Sequence, residues 1–325
     1  MHVRALAEGQ EIDQVLLVKA VERRAGRDGH EYLRLTLGDR TGTVTGMVWD
    51  EMAIAAEVLH AGAAVHVCGR LMVHPRHGRQ IVVSAVRSPA NGSFSPVELV
   101  DGPVRAPEQM ESDLRELVAT VQQPHLRRLL EEVFGEGLPT WDAYRRAPAA
   151  KYYHQAYAHG LLEHCLSVAQ SVSAISAMFP GIDRDVAVTG ALLHDIGKLE
   201  AYRDAPEAID LTDAGRLHGE IALGYYRIRR LTEQIEGFPP SLAMALTHII
   251  LSHHGTLEYG SPVVPCTREA TLVHMIDNLG GRLGSFDRIE KALGEGQQWS
   301  AYDRAIGAEA WFAPRESALE QRRAA

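Results

Sequence analysis

The sequence predicts two domains of different class, a small all-β barrel followed by an all-α helical bundle. Leu33, Leu35 and Leu37 alternate with more polar neighbours, which is the period of a half-buried strand. Beyond a proline-rich stretch, apolar residues recur at helical spacing, as they do over residues 161 to 175. A chain of 325 residues is long enough for two such domains.

The first domain, residues 1 to 88, has the element order of an OB barrel. A segment of helical composition, residues 51 to 60, falls between the third and fourth of five short strands. That order is typical of OB barrels, which are a common platform for single-stranded nucleic acid. The predicted strands cover residues 13 to 22, 32 to 37, 42 to 49, 64 to 73 and 79 to 86.

Aromatic and basic side chains of the barrel offer stacking and phosphate contacts for a single strand. A plainer alternative stays open, in which Trp49 packs against the domain's own helix and the arginines form a solvated face. The predicted contact residues are Tyr32, Arg34, Trp49, Arg70, Arg76 and Arg79.

Composition narrows the class of protein. Hydrophobic residues make up 46% and charged residues 23% of the chain, which is ordinary globular composition. The net charge of -9 argues against a protein that coats nucleic acid indiscriminately. Three scattered cysteines without a CxxC pair suggest neither a disulfide framework nor a thiolate zinc site. Because no segment approaches the ~18 apolar residues of a membrane helix, we expect no membrane association and a cytoplasmic location.

Residues 89 to 107 carry four prolines and are predicted to link the two domains. The second domain is predicted to cover residues 108 to 325. Its last forty residues, with Trp299, Trp311 and Phe312, are expected to add helices that dock on the bundle.

A predicted helix of the second domain is apolar for most of its length and ends in His194 and Asp195. An imidazole and a carboxylate side by side can reach one cation, and the two carboxylate oxygens can bridge a pair of cations. Lys198 lies one turn beyond His194 and could hold a phosphate oxygen. Its plainer alternative is a helix-terminal cation that complements the helix dipole.

Further polar side chains stand in stretches that are otherwise apolar enough to be buried. They are His164, the pair His253 and His254, and Asp277. An unpaired imidazole or carboxylate would be costly in such surroundings. A single histidine is usually an ordinary hydrogen-bonded residue, but the ordered set predicts a metal site.

This order, in the segments HGLLEHCLSV, GALLHDIGK, ILSHHG and MIDNL, resembles the HD superfamily of metal-dependent phosphohydrolases. With the barrel in front of it, the chain looks like the YhaM family of 3′-to-5′ exoribonucleases, over nearly its whole length except the last forty residues. The resemblance implies a first cation held by His164, His194, Asp195 and Asp277, and a second one shared by Asp195, His253 and His254.

One segment departs from the family pattern. Sequences similar to YhaM usually read Gly-His-Ile between the His-Asp pair and the double histidine, whereas this chain has Glu220 after Gly219. His218 lies two residues earlier, about 160° away around a helix, so only one of the two can face the site. We favour Glu220 as the ligand, with His218 as the alternative through a local shift.

The resemblance also implies the cofactor and the catalytic residues. Nitrogen and carboxylate donors without thiolate suit Mn²⁺, Fe²⁺, Co²⁺ or Mg²⁺, and the family points to Mn²⁺, as one or two ions. His154 matches a family histidine that would touch the substrate phosphate or protonate the leaving oxygen. The predicted catalytic set is Asp195, Lys198 and His154.

The leading hypothesis is a metal-dependent exoribonuclease that removes nucleotides from the 3′ end of single-stranded RNA by attack of metal-activated water. Single-stranded DNA as a second substrate and a homo-oligomer are left open. One alternative is an HD phosphohydrolase that acts on nucleotides or cyclic dinucleotides, with a regulatory barrel. The other is a nucleic-acid-binding protein whose HD site is catalytically weakened.

Overall fold

Five strands form a closed barrel at the N-terminal end of the chain. Their order around the barrel is β1-β2-β3-β5-β4, and every neighbouring pair is antiparallel except β3 with β5. This is the OB topology that the order of the elements predicts. The strands are β1 Glu11–Ala25, β2 Glu31–Asp39, β3 Gly42–Val48, β4 Ala64–His74 and β5 Gly78–Arg87.

The computed structural model describes residues 2–25, 31–49, 58–74, 78–90, 92–94, 96–99, 102–103, 105–150, 155–203, 209–293 and 297–313. Most of the helix expected over residues 51 to 60 lies outside this part of the chain.

Alternating apolar side chains fill the barrel. Leu35 and Leu37 on β2 are completely buried, as the period of two in the sequence predicts. At Gly69, a bulge shifts the register of β4 against β5. A Cβ there would lie 2.4 Å from the carbonyl oxygen of Val82, so only glycine lets the two strands approach this closely.

The predicted linker contains a short helix, α1 (Pro96–Leu99), that packs on the barrel. The carbonyl of Glu98 accepts a hydrogen bond of 3.1 Å from the backbone amide of Arg40, and Leu99 is buried. Part of the connection is therefore fixed to the first domain.

The helices of the second domain begin at sequence signals that predict helix starts. Proline occupies the first turn of four of them, and Asp183 and Thr267 accept hydrogen bonds from backbone amides as N-caps. No helix among the described residues is long and apolar enough to cross a membrane. The helices are α2 Pro107–Ala119, α3 Pro124–Phe134, α4 Pro139–Tyr144, α5 Gly160–Ser176, α6 Arg184–Leu193, α7 Lys198–Ala201, α8 Asp213–Gln234, α9 Pro240–Ser252 and α10 Arg268–Ala292.

The C-terminal segment differs from the predicted helices. Residues 297–313 form an antiparallel ribbon in which Trp299 faces Trp311, and Gly307, with φ 69°, helps to reverse the chain. Ile306 packs against Ile289 of α10. The prediction of helices is therefore wrong for this segment, because its apolar contacts with α10 are made from a turn and two extended arms. Residues 314–325 lie outside the described residues.

Candidate metal centre

Three helices bring a compact set of nitrogen and oxygen atoms together inside the bundle. His164 comes from α5, His194 and Asp195 follow the end of α6, and Asp277 comes from α10. The Nε2 atom of His164 lies 3.2 Å from Nε2 of His194 and 3.1 Å from Oδ1 of Asp277. Asp195 Oδ2 lies 3.5 Å from the same His164 nitrogen and 3.4 Å from the His194 nitrogen. The residues predicted for the first cation therefore converge.

The end of α9 adds a second group of side chains. His253 Nε2 lies 3.6 Å from Asp195 Oδ1, and His254 Nε2 lies 3.8 Å from Glu220 Oε1. His254 Nδ1 donates to the carbonyl of Tyr259 over 2.9 Å. Because the two oxygens of Asp195 face different histidines, the carboxylate has the geometry of a bridge between two neighbouring positions.

Carbonyl groups at the helix ends fix the tautomers of two of the imidazoles. The Nδ1 atom of His194 donates to the carbonyl of Ala191, and that of His253 donates to the carbonyl of Ile250, each over 2.7 Å. A carbonyl oxygen only accepts, so each Nδ1 carries the hydrogen and each Nε2 presents a lone pair to the centre. Both histidines directly follow a helix, and each uses the carbonyl three residues before it.

Two buried atoms of the centre make no hydrogen bond within the described part of the chain, namely Asp195 Oδ1 and His253 Nε2. A polar atom left unpaired in the interior is energetically unfavourable, so such atoms point to a missing partner. Both are acceptors, and so are the Nε2 atoms of His194 and His254, because the Nδ1 atoms of these residues donate to backbone carbonyls. A divalent cation satisfies acceptors of this kind, and the donor set of imidazole and carboxylate without thiolate fits one.

Charge balance keeps the carboxylates ionised. Burial alone would raise the pKa of the Asp195 carboxyl, but Lys198 and His194 outweigh it and hold that pKa well below its usual range. The Lys198 ammonium lies 2.5 Å from Asp195 Oδ2, and although burial opposes it, this carboxylate raises the pKa of Lys198. Burial likewise raises the pKa of Asp277, but the neighbouring imidazoles of His164 and His194 lower it overall. The two carboxylates therefore carry negative charge that a bound cation would neutralise.

The helix α8 is broken where the sequence departs from the family pattern. Gly219 has φ 75° and ψ 155°, so the angle of 160° expected between His218 and Glu220 on a continuous helix is wrong. Glu220 faces His254, whereas His218 is exposed. This position supports Glu220 over His218, and its role as a ligand remains a prediction.

Gly197 lets α7 approach α8. A Cβ at this position would lie 1.9 Å from the carbonyl oxygen of Glu220 and 2.5 Å from the amide nitrogen of Gly224. Both neighbours are backbone atoms, which cannot swing away as a side chain can. The glycine of the His-Asp-Ile-Gly-Lys string therefore sets the depth at which Glu220 sits beside the metal centre.

Cys165 lies beneath the centre, close to His194 and Asp195. Burial raises the pKa of its thiol, and the nearby Asp195 charge raises it further. A protonated thiol is a poor ligand, so its position agrees with a core residue. On the barrel, Asp13, His66 and Cys68 also lie close together, but Arg87 lies 3.8 Å from the Asp13 carboxylate and already balances its charge.

The barrel presents one exposed aromatic pair. The rings of Tyr32 and Trp49 have centroids 4.8 Å apart, and 59% of the Trp49 surface is exposed. Arg34 follows on the same face of β2, with its guanidinium 3.9 Å from Glu22. This combination suits a stacked base and a neighbouring phosphate.

Two other predicted contact residues, Arg70 and Arg79, already make contacts within the first domain. Arg70 forms an ion pair with Glu11, and the Arg79 guanidinium donates to the backbone carbonyls of Val3 and Leu6. Arg79 therefore ties the N-terminal segment to the barrel. Arg76 and the predicted catalytic residue His154 lie outside the described residues.

Sequence reasoning missed a set of side chains around His164. Gln155 contacts the His164 imidazole, and Glu163 contacts Gln155 and Tyr157. The only signal in the sequence is an acidic residue directly before a predicted ligand, within an apolar helix start. Contacts that depend on the course of an irregular segment leave no periodic pattern.

Fold and site together define the class of protein. Residues 161–281 match the HD domain family, and residues 15–88 match the family of OB-fold nucleic acid binding domains. The chain is thus an HD-domain protein with an N-terminal OB-fold domain.

Similar proteins extend the match to nearly the whole chain. This chain is 28% identical over 292 residues to the 3'-5' exoribonuclease YhaM of Geobacillus sp. (strain WCH70). The aligned region covers 89% of this chain and 88% of the relative. The YhaM protein of Bacillus subtilis (strain 168) is 28% identical over 293 residues, 89% of this chain and 90% of the relative. This chain is therefore similar to YhaM proteins over nearly its whole length.

Proposed function

We propose that this protein is a metal-dependent 3′-to-5′ exoribonuclease that hydrolyses single-stranded RNA. The observation that carries the proposal is the convergence of His164, His194, Asp195 and Asp277. Beside them, Asp195 Oδ1 and His253 Nε2 are buried and make no hydrogen bond to any described residue. The relatives are named 3'-5' exoribonucleases, which supports the reaction and its direction. The OB-fold domain supports RNA as the polymer that is bound.

The proposed first cation would be held by His164, His194, Asp195 and Asp277, and the second by Asp195, Glu220, His253 and His254. Mn²⁺ is the proposed ion for both positions. When bound, such cations lower the pKa of coordinated water and neutralise charge on phosphoryl oxygens.

The protein's own groups prepare the reaction. Asp195 stays ionised because Lys198 lies against it. The Lys198 ammonium has three donors, so it can hold Asp195 and still offer hydrogen bonds to a phosphoryl oxygen. We propose that this ammonium stabilises charge on the phosphate, while Tyr32, Arg34 and Trp49 hold the strand at a distance from the cleaved end.

The proposal also covers the location, a second substrate and the assembly of the protein. The cytoplasm is the proposed location. Single-stranded DNA is a proposed second substrate, because stacking on aromatic rings does not require a 2′-hydroxyl. A homo-oligomer is proposed as the assembly, with its size to be measured by light scattering.

A single-stranded RNA labelled at its 5′ end tests the proposed function. With Mn²⁺ present we expect a descending ladder of labelled products, and with a chelator we expect intact RNA. A circular RNA of the same sequence should stay intact because it has no 3′ end. Intact linear RNA beside hydrolysed nucleotides or cyclic dinucleotides would instead make the protein a small-molecule phosphohydrolase.

Replacing Trp49 with alanine should weaken RNA binding. Loss of one stacked base corresponds to about 1–3 kcal/mol, or roughly 5- to 150-fold in Kd. Fluorescence anisotropy with a chelator present measures binding without cleavage. Trp299→Ala is the matched control because both tryptophans are 59% exposed and Trp299 belongs to the C-terminal ribbon. Equal losses for the two variants would refute a specific role of the barrel surface.

A further inference from the structure

His164 is held differently from the neighbouring histidines of the centre. Its Nδ1 atom faces the side-chain oxygen Oε1 of Gln155 at 3.1 Å, whereas His194 and His253 use backbone carbonyls. A carbonyl only accepts, but an amide side chain accepts through its oxygen and donates through its nitrogen. If the Gln155 amide turned over, it would donate to Nδ1 and place the hydrogen of His164 on Nε2, toward the centre. The orientation of this amide therefore decides which nitrogen can bind a cation.

Glu163 fixes the orientation of that amide. Gln155 Nε2 donates to Glu163 Oε2 over 3.3 Å, and the Tyr157 hydroxyl donates to the same oxygen. Glu163 is 7% exposed, so its carboxylate depends on such contacts. Turning the amide over would bring an amide oxygen against the carboxylate oxygen. The pair thus selects the orientation in which Oε1 accepts from His164.

The backbone is shaped to hold Gln155 there. Gln155 has φ 55° and His159 has φ 68°, both in the left-handed region that non-glycine residues adopt rarely. The carbonyl of Gln155 accepts a hydrogen bond of 3.1 Å from the amide of Ala149. A Cβ at Gly160 would lie 2.1 Å from this carbonyl oxygen, so glycine is required beneath it. Unusual backbone maintained by specific contacts is common at functional sites.

We propose that Gln155, oriented by Glu163, is a positioning residue that fixes the tautomer of His164 so that the lone pair of its Nε2 atom faces the metal centre and can bind the catalytic cation. The proposal rests on the proposed function for the identity of that cation. It assigns the buried carboxylate of Glu163 to orienting the ligand beside it, not to binding metal. The amide and carboxylate together do for His164 what helix-end carbonyls do for His194 and His253.

The near-isosteric variant Gln155→Met removes both hydrogen bonds and keeps the length of the side chain. We expect the Kd for Mn²⁺ to rise by about 10- to 100-fold, as for other groups that orient metal ligands. At saturating Mn²⁺, kcat on RNA should return to within a few-fold of the unmodified protein. Electron paramagnetic resonance of free Mn²⁺ measures the Kd without RNA. The control is Gln170→Met, which makes the same substitution on α5 away from the metal centre and should leave the Kd for Mn²⁺ unchanged.

Glu163→Gln tests whether Glu163 acts through Gln155. This isostere no longer dictates the amide orientation, so it should raise the Kd by itself but add nothing to Gln155→Met in the double variant. An unchanged Kd in Gln155→Met, or additive effects in the double variant, would overturn the proposal. Circular dichroism recorded during thermal unfolding identifies a variant that fails to fold. If Gln155→Met fails to fold, an unchanged Kd for Mn²⁺ in Glu163→Gln overturns the proposal.

The two proposals fail in different ways. Mn²⁺ binding with these shifts but without RNA cleavage would refute the nuclease activity alone. RNA cleavage with a Kd that does not respond to Gln155→Met would refute the positioning role alone. An unmodified protein that binds no Mn²⁺ would overturn both.

Discussion

Asp195→Asn is expected to lower RNA turnover by at least about 10³-fold, a loss typical of a residue on which the whole catalytic group depends. Among the described residues, Asp195 is the one carboxylate within 4 Å of both His164 and His253, so both proposed cation positions lose a ligand together. The asparagine keeps the shape but removes the negative charge, and it leaves the buried Lys198 ammonium without its ion pair. Metal analysis of the purified variant should therefore also show loss of Mn²⁺.

The control for this variant is Asp142→Asn, at a partly exposed aspartate on α4 that pairs with Arg145. It should retain activity and metal content. Turnover is measured from the labelled RNA ladder at several Mn²⁺ concentrations. Retention of cleavage by Asp195→Asn at any of them within tenfold of the unmodified protein would show that the reaction takes place elsewhere.

The fold was predictable because its burial follows two simple periods. In β2 each second residue from Leu33 to Leu37 points into the barrel, and in α5 the apolar stripe faces the bundle core. The C-terminal ribbon was not predictable in this way. Its burial is confined to a few positions such as Ile306 and Ala310, too few to set a period, and its chain reversal depends on Gly307.

The candidate site was predictable where ligands follow the ends of apolar helices, as His194 and His253 do. What the sequence left open depends on backbone that no pattern encodes. The break at Gly219 interrupts the helix just before Glu220, and the left-handed Gln155 reaches the His164 ring. Such contacts arise from tertiary packing, so they are visible only in three dimensions.

Gly197→Ala should destabilise the second domain strongly. The added methyl group would meet the backbone of Glu220 and Gly224, at 1.9 and 2.5 Å from the nearest atoms, and α7 and α8 must separate to admit it. Overpacking of this kind lowers the free energy of unfolding by about 3 kcal/mol. Because Glu220 moves with α8 relative to His254, Mn²⁺ bound at the proposed second position should also weaken. Urea denaturation and Mn²⁺ titration measure the two effects.

Gly280→Ala is the matched control, because it adds the same methyl group to an exposed position of α10, where no described atom outside the local helix lies within 4 Å. Alanine is the better helix former, so this variant should gain up to about 1 kcal/mol of stability. The two substitutions are thus expected to have opposite signs. If both changed stability by the same small amount, α7 and α8 would not be in contact at Gly197, and the position assigned to Glu220 beside the metal centre would be wrong.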